Sequence, residues 1–163
     1  MTTVTQTGIL PLGFLLLLSV APLWAQDSIG MTVVSRGDVE IVSAGETSPL
    51  GRGDFILEQD EIIVGERSFA VVQFVDGTKL NLRPDSHLIV EEYRYFGQED
   101  DKATLNLIHG GLRVNLGAIS GQEEKQYRIR TPSGPLLVSE KEGTLALCDD
   151  QVCELQGLTA LND

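Results

Sequence analysis

Phe69-Ala-Val-Val-Gln-Phe-Val75, Asp76-Gly77 and Thr78-Lys-Leu-Asn-Leu82 make up the stretch that decides the fold. Two runs rich in branched and aromatic residues flank an Asp-Gly pair, the pattern of a β-hairpin. Asp-Gly suits a two-residue type I′ turn, because both central residues of that turn need positive φ. The second run alternates, with Leu80 and Leu82 one way and Lys79 and Asn81 the other. The first is apolar on both faces, so one face is expected in the core and the other covered as well. Arg83-Pro84 ends the unit, since proline cannot donate to a central ladder.

Outward from this hairpin the same punctuation repeats. Short apolar or alternating runs at 32–35, 39–43, 54–57 and 61–64 precede it. Runs at 88–96, 104–108, 112–116, 127–130, 136–138, 144–148 and 152–156 follow, each bounded by Gly, Asp or Pro. These read as strands. No long stretch carries helical periodicity. Residues 98–103 and 118–125 read as polar loops, the second holding a helical turn at most. The expectation is one all-β domain, a twisted stack of short strands that is solenoid-like or sandwich-like.

Cys148 and Cys153 are the only cysteines. A two-residue turn at Asp150-Gln151 would set Cys148 opposite Cys153, with Cα atoms about 4.5 Å apart in a non-hydrogen-bonded pair. That is the close end of the disulfide range, so a Cys148–Cys153 bond is expected to lock this hairpin. The alternatives are two free thiols, or a turn of different length that puts the cysteines on opposite faces. The spacing is not Cys-x-x-Cys and no basic residue lies close by in sequence, which argues against a redox-active pair.

The chain has 24 Asp and Glu against 12 Lys and Arg, a formal charge of −12. Phosphate backbones require clustered cations, so nucleic acid is excluded as a partner. Residues 9–25 are almost wholly apolar but short, and Pro11, Gly13 and Pro22 interrupt them. A membrane span needs about 20 residues, so residues 1–25 read as a secretory signal peptide. The Ala25–Gln26 junction is the expected cut, with Ala21 a second site, and 26–163 forms the mature domain. A buried N-terminal helix or an uncleaved anchor is the alternative. An exported chain is one in which disulfides persist.

An ordered series of residues carries a family resemblance over 34–144. It opens with Gly37-Asp38-Val39, then Leu50, Gly53-Asp54, Asp60-Glu61-Ile62, Gly65, Ser68 and Ala70. Phe74-Val75-Asp76-Gly77-Thr78 follows, with Leu80, Leu82, Pro84, Ser86 and Leu88. Next comes Leu107-Ile108-His109-Gly110-Gly111-Leu112-Arg113-Val114, and last Thr131-Pro132 and Gly143-Thr144. This series resembles the FecR domain. The resemblance implies an all-β fold and a periplasmic protein-interaction role. In full-length regulators of that kind the domain follows a cytoplasmic anti-sigma segment and a membrane helix, and passes a signal from an outer-membrane TonB-dependent receptor.

This chain departs from that pattern. Its N-terminus goes straight into the apolar run, and little chain follows Gly157. Glu140-Lys141-Glu142 stands where the family usually has an apolar run leading to an arginine. No direct sigma-factor contact is expected. The partner is expected to be a periplasmic or outer-membrane protein. A cell-wall glycan is the second reading, and a structural place in an envelope assembly, through exposed strand edges, is the third.

Catalytic signatures are missing. His87 and His109 have no Cys or second His at zinc-ligand spacing. No Gly-x-Ser-x-Gly elbow is present. Glu99-Asp100-Asp101 lacks the spacing of a calcium loop and reads as solvated. A non-enzymatic protein without cofactor or metal is expected. In Val90-Glu-Glu-Tyr-Arg-Tyr-Phe96, alternation places Tyr93 and Tyr95 on one face with Glu91. Exposed tyrosines beside a carboxylate would bind a sugar or peptide. The alternative is that the rings pack against a neighbouring strand.

Overall fold

The computed structural model describes residues 27–98, 100–121 and 127–161. The apolar run at 9–25 lies outside them. Among the described residues the chain forms fifteen strands in order. They are β1 (Gly30–Arg36), β2 (Val39–Ser43), β3 (Glu46–Pro49), β4 (Phe55–Ile56), β5 (Glu61–Val64), β6 (Phe69–Phe74), β7 (Lys79–Leu82) and β8 (Ser86–Arg94). There follow β9 (Lys102–His109), β10 (Gly111–Asn115), β11 (Tyr127–Thr131), β12 (Gly134–Val138), β13 (Glu142–Cys148), β14 (Gln151–Gln156) and β15 (Leu158–Ala160). A single 3₁₀ turn, Ala118–Gly121, sits before β11.

The strands make two sheets, β14-β13-β10-β7-β6-β1-β4 and β15-β12-β11-β9-β8-β5-β2-β3. Alternate residues of both turn inward and form one core, among them Val72, Leu80, Leu112 and Leu145 from the first sheet and Ile62, Leu88, Leu105 and Ile129 from the second. The domain is therefore a two-layer sandwich. Apart from β3 and β4, strand order across each sheet follows chain order, so the chain winds back and forth between layers as a solenoid does. All neighbours are antiparallel except β9 and β11, which run parallel.

The crossings on one side stack on each other. Gly65 N–H donates to Asp38 C=O at 2.8 Å, and Asp85 N–H donates to Gly65 C=O at 3.1 Å. Gly110 lies against the same Asp85. Its φ is +80°, and a Cβ there would stand 2.2 Å from Asp85 C=O. Beside it the buried Ser86 hydroxyl donates to Gly111 C=O at 2.8 Å and accepts from Gly111 N–H at 2.9 Å. Gly110-Gly111 is thus where two crossings touch. Of the other motif residues, Gly143 lies beneath Leu158, where a Cβ would meet its side chain at 2.7 Å. Thr144 pairs with Arg113 of β10. Pro132-Ser133 forms the two-residue turn between β11 and β12, with Thr131 opposite Gly134.

Three expectations are corrected. First, the central hairpin does not turn through type I′. Gly77 has φ +89° but Asp76 does not adopt positive φ. Gly77 N–H donates to Phe74 C=O at 3.0 Å and Phe74 N–H to Thr78 C=O at 2.8 Å, a three-residue loop with a glycine bulge. The Asp76 carboxylate decides this, because it accepts the Thr78 N–H at 2.9 Å and the Thr78 hydroxyl at 2.7 Å. Secondly, the outer face of β6 stays open: Phe69 is 45% exposed.

Thirdly, the cysteine hairpin turns one residue early. Asp149 (φ 50°) and Asp150 (φ 62°) are the positive-φ pair, so Cys148 faces Gln151. A bulge between the pairs Ala146↔Glu154 and Leu147↔Val152 leaves Cys153 unpaired in the ladder. That extra residue brings Cys153 to Cys148, and the disulfide forms across a Cα–Cα distance of 5.7 Å.

Candidate functional site

The sequence alternation around Tyr93 fails at one point, and the failure defines the site. In the β8–β9 pairing, Val90 faces Leu105 and Glu92 faces Thr104, so Glu91 is an inserted bulge residue. One inserted residue inverts everything beyond it. Val90 and Tyr93 therefore both point inward, while Glu91 and Glu92 both look out.

Tyr93 is only 3% exposed. Its ring stacks on Phe74 of the other sheet at 4.3 Å and meets Tyr127 edge-on at 6.4 Å. Its hydroxyl donates to Asp76 Oδ1 at 2.5 Å. Burial, reinforced by Tyr127 and Asp76, pushes the Tyr93 hydroxyl far above its ordinary range. Burial chiefly, then Asp76, does the same to Tyr127. Tyr95 is half-buried and packs against the core. Tyr93 is thus a core residue and Tyr95 is half-buried beside it, so the two do not form an exposed ring pair, and Glu91 lies on the opposite face from Tyr93.

Asp76 gathers the Thr78 and Tyr93 donors and also the Ile119 N–H at 3.3 Å. This cluster is a clamp between layers. Of Glu99-Asp100-Asp101, Glu99 lies outside the described residues, and Asp101 is structural. Asp101 is buried, and its carboxylate accepts the N–H groups of Phe96, Gly97 and Gln98 at 2.7, 2.8 and 3.0 Å. His109 is exposed and lies 3.0 Å from Asp85, and His87 lies 2.9 Å from Glu61.

What the bulge leaves outside is a trough on the solvent face of the larger sheet. Glu91 accepts Asn106 Nδ2 at 2.9 Å and Arg130 Nη1 at 3.0 Å. Gln59 Nε2 donates to the Glu91 C=O. Glu92 pairs with Lys102 at 2.9 Å and with Arg94 at 3.5 Å. Arg128 and Arg130 project from alternate positions of β11, opposite Thr104 and Asn106. A hollow of about 570 Å³ is lined by Glu58, Glu91, Glu92, Thr104, Arg128, Arg130 and Pro135. A second, of about 390 Å³, shares Glu92, Thr104 and Arg128 and extends to Arg94, Asp100 and Lys102.

The trough thus collects four basic side chains, Arg94, Lys102, Arg128 and Arg130, on a chain of formal charge −12. Its ion pairs lie at the surface, where each is worth about 0–1 kcal/mol, so an incoming group can exchange for either partner at little cost. Arginines offer a planar fork suited to carboxylates. The arrangement can recognise a surface of mixed charge. The alternation in Tyr127-Arg-Ile-Arg130 was the available signal for the two arginines. Their meeting with Glu91 depends on the parallel pairing of β9 and β11.

Layered short strands, a disulfide suited to an oxidising compartment and an outward charged trough define a β-sandwich module. The family model for FecR protein matches residues 60–153. The chain belongs to the FecR family, which is tied to cell-envelope signalling and is regulatory rather than enzymatic. The match begins at Asp60, beyond the Gly37-Asp38-Val39 opening, and runs on through the disulfide. Comparison with curated proteins and with solved structures finds no match.

Proposed function

We propose that this is a non-enzymatic periplasmic module that binds a protein partner through the trough around Glu91 and Arg130, in envelope signalling or assembly. The observation that carries this is the placing of Arg128 and Arg130 beside Glu91 and Glu92 on an exposed sheet face. Charges of both signs in one hollow favour a protein surface, which can answer both. Surface charges of this kind govern association rate and specificity. An outer-membrane or periplasmic protein with mixed charge is the fitting partner. A cell-wall glycan is not favoured, because Tyr93 is buried in the core and Tyr95 is half-buried against it, so no exposed pair of rings is presented for stacking.

The test is crosslinking in envelope extract with the wild-type chain and an Arg128→Glu/Arg130→Glu variant as baits. The wild type should recover a discrete envelope protein that the variant loses, with matching circular dichroism. Equal recovery by both, recovery by neither, or sedimentation of the wild type with purified peptidoglycan would count against the proposal.

A further inference from the structure

Four strands end the two sheets: β3, β4, β14 and β15. Three are blunted in ways that discourage pairing. β4 has two residues and β15 three, while β3 ends in Pro49 and carries Glu46. β14 is different. It has six residues, Gln-Val-Cys-Glu-Leu-Gln, with neither proline nor lysine; its bulge at Cys153 lies near the turn, and beyond it Glu154–Gln156 pair regularly with β13. In an antiparallel ladder every second residue turns its N–H and C=O away from its partner, so β14 leaves about three residues' worth of backbone groups open.

One side chain on this strand is out of place. Leu155 pairs with Leu145, so both lie on the inward side of the sheet. Leu145 is fully buried, yet Leu155 is 44% exposed. The facing sheet ends at the short β15, and the core layer stops before it reaches Leu155. On the outer side, Glu154 is held to Arg83 at 2.7 and 3.2 Å. Arg83 reaches it across β10 and β13 because Gly111 and Ala146 are small there: a Cβ at Gly111 would meet Arg83 Cδ at 3.1 Å. Asp149 and Asp150 stand exposed at the start of the strand.

We propose that β14 is a docking edge for an extended segment of another protein, which adds as the next strand and alternates apolar with basic residues. The apolar positions would cover Leu155 and lengthen the core. The basic positions, on the other face, would meet the Asp149-Asp150 turn and compete with Arg83 for Glu154. Backbone bonds would supply affinity and the alternation would supply specificity. A second copy of this chain is disfavoured, because it brings one formal charge of −12 against another. This edge belongs to the smaller sheet and does not depend on the trough.

The probe is a ten-residue Val-Lys alternating peptide, compared with a Val-Glu alternating peptide, added to the isotope-labelled chain. Hydrogen exchange read by NMR should slow at the β14 amides with the Val-Lys peptide only. Leu155→Lys should weaken binding at least tenfold while circular dichroism and the disulfide are unchanged. Protection elsewhere, protection by neither peptide, or equal binding by the variant overturns the proposal. So does a concentration-dependent dimer that protects β14 without peptide, which would make a second copy the occupant. The Arg128→Glu/Arg130→Glu variant should bind the peptide as the wild type does, so the two surfaces fail or succeed separately.

Discussion

The Tyr93 hydroxyl donates to Asp76 Oδ1 at 2.5 Å, and this one bond ties the turn after β6 in one sheet to β8 in the other. It sits among the stacked ring of Phe74, the edge of Tyr127 and the Thr78 donors, out of reach of water. Removing the hydroxyl with Tyr93→Phe keeps the stacking and leaves the buried carboxylate one donor short. A hydrogen bond to a charged group contributes about 1.5–3 kcal/mol, and a loss of that size is expected in urea unfolding. A change below about 0.5 kcal/mol would show that Asp76 and Tyr93 are not coupled.

Alkaline pH offers an independent check on the same cluster. Tyr93 and Tyr127 are both raised above 10.0 by burial. Below about pH 9 both are protonated folded and unfolded, and stability is insensitive to them. Above the unfolded value near 10 the unfolded chain loses protons that the folded chain keeps, so stability falls as pH rises. The slope is about 1.4 kcal/mol per pH unit for each tyrosine. Between pH 10 and 12 the unfolding free energy of Tyr93→Phe should fall less steeply than that of the wild type, as judged by denaturant titration.

Gly110 separates backbone strain from steric overlap. Gly110→Ala places a methyl 2.2 Å from the Asp85 carbonyl in a left-handed conformation. Gly45→Ala meets the same backbone demand, φ +82°, with open space around it. The second should cost about 1 kcal/mol. The first should cost at least about 3 kcal/mol or prevent folding, because the stacked crossings cannot part. Equal melting temperatures for the two variants would contradict the stacking.

The disulfide is exposed and closes a short loop, with a sequence separation of 5. A loop of that size is worth about 2 kcal/mol in the chain-entropy account. Cys148→Ser/Cys153→Ser should therefore lower stability by up to that amount and leave the far-ultraviolet spectrum intact. Global unfolding on mild reduction would mean the hairpin supports more of the domain than its position suggests.

Asp101 predicts a local effect. Asp101→Ala orphans three backbone donors, at Phe96, Gly97 and Gln98. The expected cost is about 1–3 kcal/mol, with faster amide exchange confined to that turn. Exchange unchanged there would rule out the capping role.

Much of the fold is legible in residue types. Apolar runs and their Gly, Asp and Pro boundaries mark most of the strands, and the two cysteines mark their hairpin. β3 escapes because Glu-Thr-Ser-Pro carries no apolar alternation and is held by backbone pairing to β2 alone. β15 is too short to announce itself. The bulges at Glu91 and Cys153 escape as well, since an inserted residue changes no composition. Yet Glu91 inverts the faces beyond it, and the extra residue at Cys153 lets it reach Cys148 although the turn falls one residue early, so each matters more than a whole edge strand. The trough was half visible: alternation exposes Arg128 and Arg130, but only long-range parallel pairing sets them against Glu91.

Because the sheets add strands largely in the order of the chain, a polypeptide emerging N-terminus first can lay down its early coils while the later ones are still being made. Most new strands find a neighbour already waiting. The coil clasped by the Cys148–Cys153 loop then settles only after the coils it packs against.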